Sequence, residues 1–359
     1  MYNWIKDEMR ARPRTWLVTG VAGFIGSNLL EALLKLDQRV TGLDNFCSGS
    51  RDNLAMVQDA VSRRQWARFR LVEGDVGSLP ACREACRWTQ FVLHQAALCS
   101  VPKSLAEPLV AHNSNVTGFV HMLAAAREAG VTRFVYAGSS AVYGDDPRDL
   151  KVEAEIGRPL SPYALGKYVD ELYAAMFARC YGFASIGLRY FNVFGPRQDP
   201  EGTYASVIPG WIAAMIRGQP VHINGDGRTT RDFCYVENVV QANLLAAMVD
   251  DPDAVNQVYN VALGRKTTLD ELFAAIRSLL EARVPGARAI RPEYRDFRDG
   301  DVRFSQADIG KARVLLGYQP SWSVAEGLAQ TIDWYAARLA RQPAHPDPRA
   351  NSRPLVAAS

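Results

Sequence analysis

The chain has 359 residues, 48% of them hydrophobic and 22% charged, which is enough apolar surface for one large α/β unit or two interlocked ones. A formal charge of +3 is small for this length, so charge alone implies neither a nucleic-acid partner nor an acidic one, and any anion site must be local. No apolar run approaches the roughly 20 residues of a membrane span, and the start MYNWIKDEMRARPR is charged, unlike a signal peptide, so no membrane partner and a cytoplasmic setting are expected.

In chain order, residues 1–14 predict a short amphipathic helix on the surface. TWLVTG then reads as a strand, followed by a helix from about Phe24. RVTGLD, FRLVEGD, FVLHQAA, RFVYAGS and SIGLRYFNVFG continue as short β-rich runs, with HMLAAAREAG as a helix among them. Strands alternating with helices signify βαβ units and a parallel sheet. After Gly195 the chain turns Gly- and Pro-rich, with short strands in VHING and RDFCYV. TTLDELFAAIRSLL opens with a capping box from Thr268 to Glu271, and QVYNVAL reads as a buried strand that returns to the main sheet. These features predict a Rossmann-type doubly wound domain over 15–190 plus 236–263, and a smaller α/β substrate-binding domain over 191–235 plus 264–340. The tail 341–359, without period and rich in proline, is expected to be disordered. The six cysteines show no CxxC and no clustered His, so reduced thiols and no metal site are expected.

Four features carry chemistry. In GVAGFIG, Gly20, Gly23 and Gly26 stand at three-residue spacing between the first strand and a helix, a turn through which backbone approaches a pyrophosphate. The second strand ends in Asp44, 44 − 26 = 18 residues later. An acid there accepts from ribose hydroxyls and repels a 2′-phosphate, which points to NAD rather than NADP. Asp75 in GDV is either a turn aspartate or an adenine contact. His94, at a strand end, reads first as a hydrogen-bonded histidine. Ser139 and Ser140 close another strand on the side where ligands of open α/β sheets bind. In SPYALGKY, Ser161 suits an N-cap and Pro162 the first turn, so Tyr163 and Lys167 fall one turn apart on one helix face. A phenol titrates near pH 10, and a neighbouring ammonium together with a cationic nicotinamide is expected to lower it toward a working base.

Together with DNFCSG, GDV, HQAA, GSSAVYGD, LRYFNVFGPRQ, RDFCYV and FRDGDVRFS, these stretches resemble the extended short-chain dehydrogenase/reductases that act on nucleotide sugars. The likeness spans residues 15 to about 335. QWARF, HQAALCSVPKS, NVFGPRQDP and RDFCYVEN are shared more particularly with the UDP-N-acetylglucosamine 4-epimerases of bacterial surface-polysaccharide loci.

That resemblance implies an isomerase with tightly held NAD and a homodimer formed through helices near 108–128 and 161–180. Tyr163 is implied as the base, Lys167 as the residue that lowers its pKa and holds the nicotinamide ribose, and Ser139 as the partner of the reacting hydroxyl. The implied NAD contacts are Gly20, Gly23, Phe24, Ile25, Gly26, Asp44, Asn45, Phe46, Gly49, Asp75, Val76, Gln95, Ala96, Ala97, Asn115, Tyr163, Lys167, Tyr190 and Val193. On the substrate side stand Ser100, Ser139, Ser140, Tyr163, Asn192, Gln198, Ser206, Val207, His222, Asn224 and Arg231, with Arg298, Asp301 and Ser305 further along. Arg231 and Arg298 match diphosphate arginines, for which bidentate charge-assisted bonding is the physical reason.

Dehydratases and decarboxylating relatives place carboxylates where this chain has Ser140 and Ala141, so C4 epimerisation is the implied reaction. Ser305, at the gate beside C2, is small and leaves room for an N-acetyl group. UDP-GlcNAc/UDP-GalNAc is therefore the first substrate pair, with the corresponding uronic acids, or UDP-glucose/UDP-galactose, as alternatives. The chain departs from the branch at Cys99, usually glycine, at Ala141, usually a third serine, and around Lys103. Cys99 is expected beside the sugar pocket.

Overall fold

A computed structural model describes residues 1–201, 206–297 and 302–339. Seven strands, β1 (Thr15–Thr19), β2 (Arg39–Asp44), β3 (Phe69–Glu73), β4 (Phe91–His94), β5 (Arg133–Ser139), β6 (Ser185–Tyr190) and β7 (Gln257–Val261), pair in parallel. Their order is β7-β6-β5-β4-β1-β2-β3. From β1 the chain steps outward to β2 and β3, then returns to β1's other side as β4. That reversal opens a crevice beyond the carboxyl ends of β1 and β4, the place where such sheets bind ligands.

The principal helices are α1 (Tyr2–Ala11), α2 (Phe24–Lys35), α3 (Gly118–Glu128), α4 (Pro162–Tyr181), α5 (Val207–Ile216), α6 (Val236–Met248), α7 (Leu269–Glu281) and α8 (Val324–Leu339). Alternate residues of the strands feed two cores. Val18, Leu93, Val135 and Ile186 pack with Leu29 and Leu33 of α2 and Val239 and Leu244 of α6. Leu17, Val92, Phe134 and Tyr136 face the other way, against Phe119 and Met122 of α3 and Phe177 of α4. Each such fully buried side chain contributes about 1.5–3 kcal/mol of transfer free energy. A third core joins α5, α7 and α8 through Ile212, Trp211, Phe273, Ile276, Leu328 and Ile332.

The N-terminal helix forms as expected, with Ile5 and Met9 buried. The Thr268–Glu271 capping box is present. QVYNVAL is parallel and buried at its end, yet it is the terminal strand of the sheet rather than an inner one. Its outer side is covered because Asn260 Nδ2 donates to the carbonyls of Lys151 and Asp308 and Lys311 stacks over the Tyr259 ring. All six cysteines are free thiols. The 341–359 tail lies outside the described residues.

Candidate active site

The glycine turn shapes the floor of the crevice. Gly20 sits at φ +64°, a left-handed conformation that suits glycine, and a side chain there would meet the Ala96 backbone. A Cβ on Gly26 would overlap the Gly20 carbonyl. Gly23 is the N-cap of α2, where no side chain satisfies the first-turn N–H groups. Such open amides at a helix start, in a turn too tight for side chains, fit a pyrophosphate. Phe24 and Ile25 begin the helix itself.

Asp44 ends β2, 7% exposed. One of its oxygens accepts from the Ala22 N–H (2.8 Å), the other from the Phe46 N–H (2.8 Å), so the carboxylate ties the glycine turn to the loop of Asn45, Phe46 and Gly49. Asp75 accepts from the Gly77 N–H (2.6 Å) and from Asn45 Nδ2 (2.5 Å), which favours its reading as a turn residue. Val76 packs against Gly118, where a Cβ would collide with it.

At the ends of β1 and β4, the Thr19 hydroxyl accepts from the N–H groups of Gln95 and Ala96, both at 3.1 Å. It lies 2.8 Å from His94 Nδ1, to which it donates, leaving the His94 proton on Nε2. Burial, and then the Lys167 charge, push His94 down to about 3, so it stays neutral and is a structural histidine. Next along, Asn115 lies in the π-helical turn Asn113–Thr117. Its Oδ1 accepts from the Leu98 N–H (2.7 Å) and its Nδ2 donates to the Leu98 carbonyl (3.1 Å), fixing the loop of Ala97, Cys99 and Ser100. The Ser100 hydroxyl accepts from the Lys103 N–H and caps the following turn. Tyr190 donates to Gln95 Oε1 (3.0 Å) and accepts from Asn243 Nδ2 (2.9 Å), closing a ring of three polar side chains under the crevice.

The acid/base candidates meet where β5 ends and α4 begins. Ser161 caps α4 by accepting from the Ala164 N–H (3.1 Å), and the Tyr163 N–H donates to Ser104 Oγ (3.2 Å). Ser139 Oγ accepts from the Ala141 N–H (3.1 Å) and stands near enough to the Tyr163 phenol to favour its ionisation. Position 141 thus contributes a backbone N–H, which alanine supplies as well as serine. Ser140 follows in the same turn.

Lys167 is 2% exposed. Its Nζ lies 3.3 Å from Asp170 Oδ2. In the protein alone the Tyr163 phenol is raised above its ordinary value, by burial first and then by Cys99 and Asp170, with Ser139 opposing. The expected lowering calls on Lys167 together with a cationic nicotinamide, and burial acts against it. Cys99 stands exposed in the loop after β4.

A second cleft, of about 380 Å³, brings together Asn192, Val193, Gln198, Ser206, Val207, His222, Asn224 and Arg231. Val193, expected on the cofactor side, also lines this cleft. Arg231 Nη1 donates to the Thr230 carbonyl (2.9 Å). His222 Nε2 is hydrogen-bonded to Arg295 at 2.7 Å, and Glu293 Oε2 lies 3.1 Å from its Nδ1. Ser305, half-buried, is not among the lining residues and lies two positions before Ala307, whose N–H donates to Asp232. Arg298 and Asp301 lie outside the described residues.

Sequence reasoning missed Phe194, Trp211 and Phe233 in the cleft wall, and Thr19, Asn243 and Asp170 beneath the crevice. Asn243 and Asp170 left a signal, each a polar residue inside a helix on a buried face. Among the described residues no group of His, Cys, Asp and Glu is arranged to hold a metal, and no helix is long and apolar enough to cross a membrane.

The model of the NAD dependent epimerase/dehydratase family matches residues 16–262. The UDP-glucose 4-epimerase of Mycolicibacterium smegmatis is 36% identical over 320 residues, covering 89% of this chain and 97% of that protein. The UDP-glucuronate 4-epimerase of Thermodesulfobacterium geofontis is 30% identical, over 89% of this chain and 95% of its own length. Among solved structures, the UDP-N-acetylglucosamine 4-epimerase of Methanobrevibacter ruminantium in complex with UDP-N-acetylmuramic acid is 36% identical, with a TM-score of 0.82, over 91% of this chain and 99% of that one. With a family model spanning most of the sequence and these relatives matching along nearly all of it, the chain belongs to the NAD-dependent epimerase/dehydratase family, among the nucleotide-sugar 4-epimerases, enzymes that work with NAD.

Proposed function

We propose that this enzyme interconverts UDP-GlcNAc and UDP-GalNAc by epimerisation at C4, supplying precursors for a surface polysaccharide such as O-antigen or capsule. The observation that carries the epimerase chemistry is the meeting of Ser139, at the carboxyl end of β5, with Tyr163 in the first turn of α4, where the serine acts on the phenol. Choice of the N-acetyl sugar rests on the small Ser305. Relatives named for UDP-glucose and UDP-glucuronate keep UDP-Glc/UDP-Gal and UDP-GlcNAcA/UDP-GalNAcA as alternatives.

Tyr163 takes the proton of the sugar O4 while hydride leaves C4, and Ser139 orients that hydroxyl. NAD, when bound, supplies the hydride acceptor and then returns the hydride. A phenol raised by burial requires positive charge nearby to act as a base, and Lys167 is the resident cation. After the ketosugar presents its other face, Tyr163 gives the proton back to O4, so the reaction is redox-neutral. Arg231 in the second cleft, with Arg298, would hold the diphosphate, and Ser206, Val207, His222 and Asn224 would line the base. This reading assigns 15–190 plus 236–263 to NAD and 191–235 plus 264–340 to the UDP-sugar, a division supported by the separate core of α5, α7 and α8. It also takes the protein as a cytoplasmic homodimer.

Purified protein incubated with UDP-GalNAc should yield UDP-GlcNAc by NMR, and faster than it converts the hexose or uronate pairs. No conversion of any UDP-sugar with NAD bound would defeat the epimerase reading. Tyr163→Phe should lower kcat by about 10²–10⁴-fold or more with NAD content unchanged.

A further inference from the structure

Tyr163, Lys167 and Asp170 stand at i, i+4 and i+7 of α4, on one helix face. Asp170 is fully buried and Lys167 2% exposed. Asp170 Oδ2 meets the ammonium at 3.3 Å, and Oδ1 has no hydrogen-bond partner among the described residues. A structural ion pair in the interior is ordinarily satisfied on every oxygen. Asp170 is instead half-satisfied, and burial first, then Glu171, push it up to about 7 against the pull of Lys167.

The other ionisable groups around it are accounted for. On its own helix, Glu171 is engaged by the Arg189 guanidinium from β6 through two bonds of 2.8 Å. From β5, Tyr136 is a fully buried phenol raised by burial and by Glu171 and Asp170. From β4, His94 is neutral. Lys167 makes no ion pair other than that with Asp170 among the described residues. The Asp170 charge therefore falls on Lys167 and, one turn further, on Tyr163.

We propose that Asp170 is a positioning residue which, through its charge, sets how much of the Lys167 ammonium's field reaches the Tyr163 phenol. As a carboxylate it draws the ammonium to itself and offsets its charge; when it takes up a proton the ammonium is released toward Tyr163. This rests on the reading of Tyr163 as the base, and it adds a group acting through Lys167 rather than on substrate.

Asp170→Asn keeps the shape and removes the charge. The acid limb of the pH profile of kcat/KM with UDP-GalNAc should move to lower pH, and each unit of movement should raise activity on that limb about tenfold relative to wild type. NAD content and the KM plateau should stay within about twofold, since Asp170 does not touch substrate. Superimposed profiles, or an acid limb moved upward, would overturn the proposal. Asp170→Ser, which also removes the charge, should shift the limb in the same direction. Failure of both variants to bind NAD and melt cooperatively would mark Asp170 as purely structural, which also overturns it. Failure of the wild type on every UDP-sugar would count against the proposed function instead.

Discussion

A methyl group at Gly26 would run into the Gly20 carbonyl, and no rotamer relieves it because both partners are backbone. Gly26→Ala is therefore expected to destabilise the fold by about 1–3 kcal/mol, as overpacking does. Because the displaced atoms shape the open start of α2, the variant should also lose NAD on purification, which cofactor content measured after denaturation would check. Retained NAD with unchanged melting would remove Gly26 from the turn's requirements. The glycines and Asp44 were legible in the sequence because spacing alone places them. That Asp44 also holds the N–H groups of Ala22 and Phe46 was not, since those bonds depend on how the loop folds back.

Helix α2 links the glycine turn to the substrate side. Arg197 in the GPRQ turn donates to Ser27 Oγ (3.1 Å) and Asn28 Oδ1 (2.6 Å) and pairs with Glu31 (2.7 Å), which also holds Lys35 (2.5 Å). Burial acts to raise Glu31, but Arg197 and Lys35 outweigh it and hold its carboxyl below the ordinary value of 4.5. A carboxyl depressed in the folded state lends stability above its unfolded value, and that stability is lost as pH falls through the folded value. Glu31→Gln should thus be less stable than wild type at pH 7, by about 1–3 kcal/mol for a partly buried pair, with the gap closing below about pH 4. Urea unfolding at the two pH values measures this, and an equal gap at both would refute the assignment. The helix itself was readable from its period, but its partner 166 residues away (197 − 31) was not.

At the scale of the molecule, Leu105 (60% exposed), Leu109 (79%), Leu165 (53%) and Leu172 (51%) stand on the surface of α4 and the two turns before α3. Apolar exposure on adjacent helices is what the proposed homodimer would cover. Light scattering should give twice the 39.6 kDa chain mass, and Leu109→Glu with Leu172→Glu should return it to one. A wild-type mass of one chain would overturn the proposed homodimer.

The sequence by itself determined the alternation of strand and helix, the glycine turn, the cap of α4 and the YxxxK face, because each is written in local spacing and backbone preference. Tertiary structure decided which groups meet. It set His94 on Thr19, Asn115 on the Leu98 peptide, and eight of the expected site residues, from four separate stretches, around one cleft. It also turned Lys167 toward Asp170, since the charge balance of a buried face depends on depth and neighbours that no one-dimensional spacing contains.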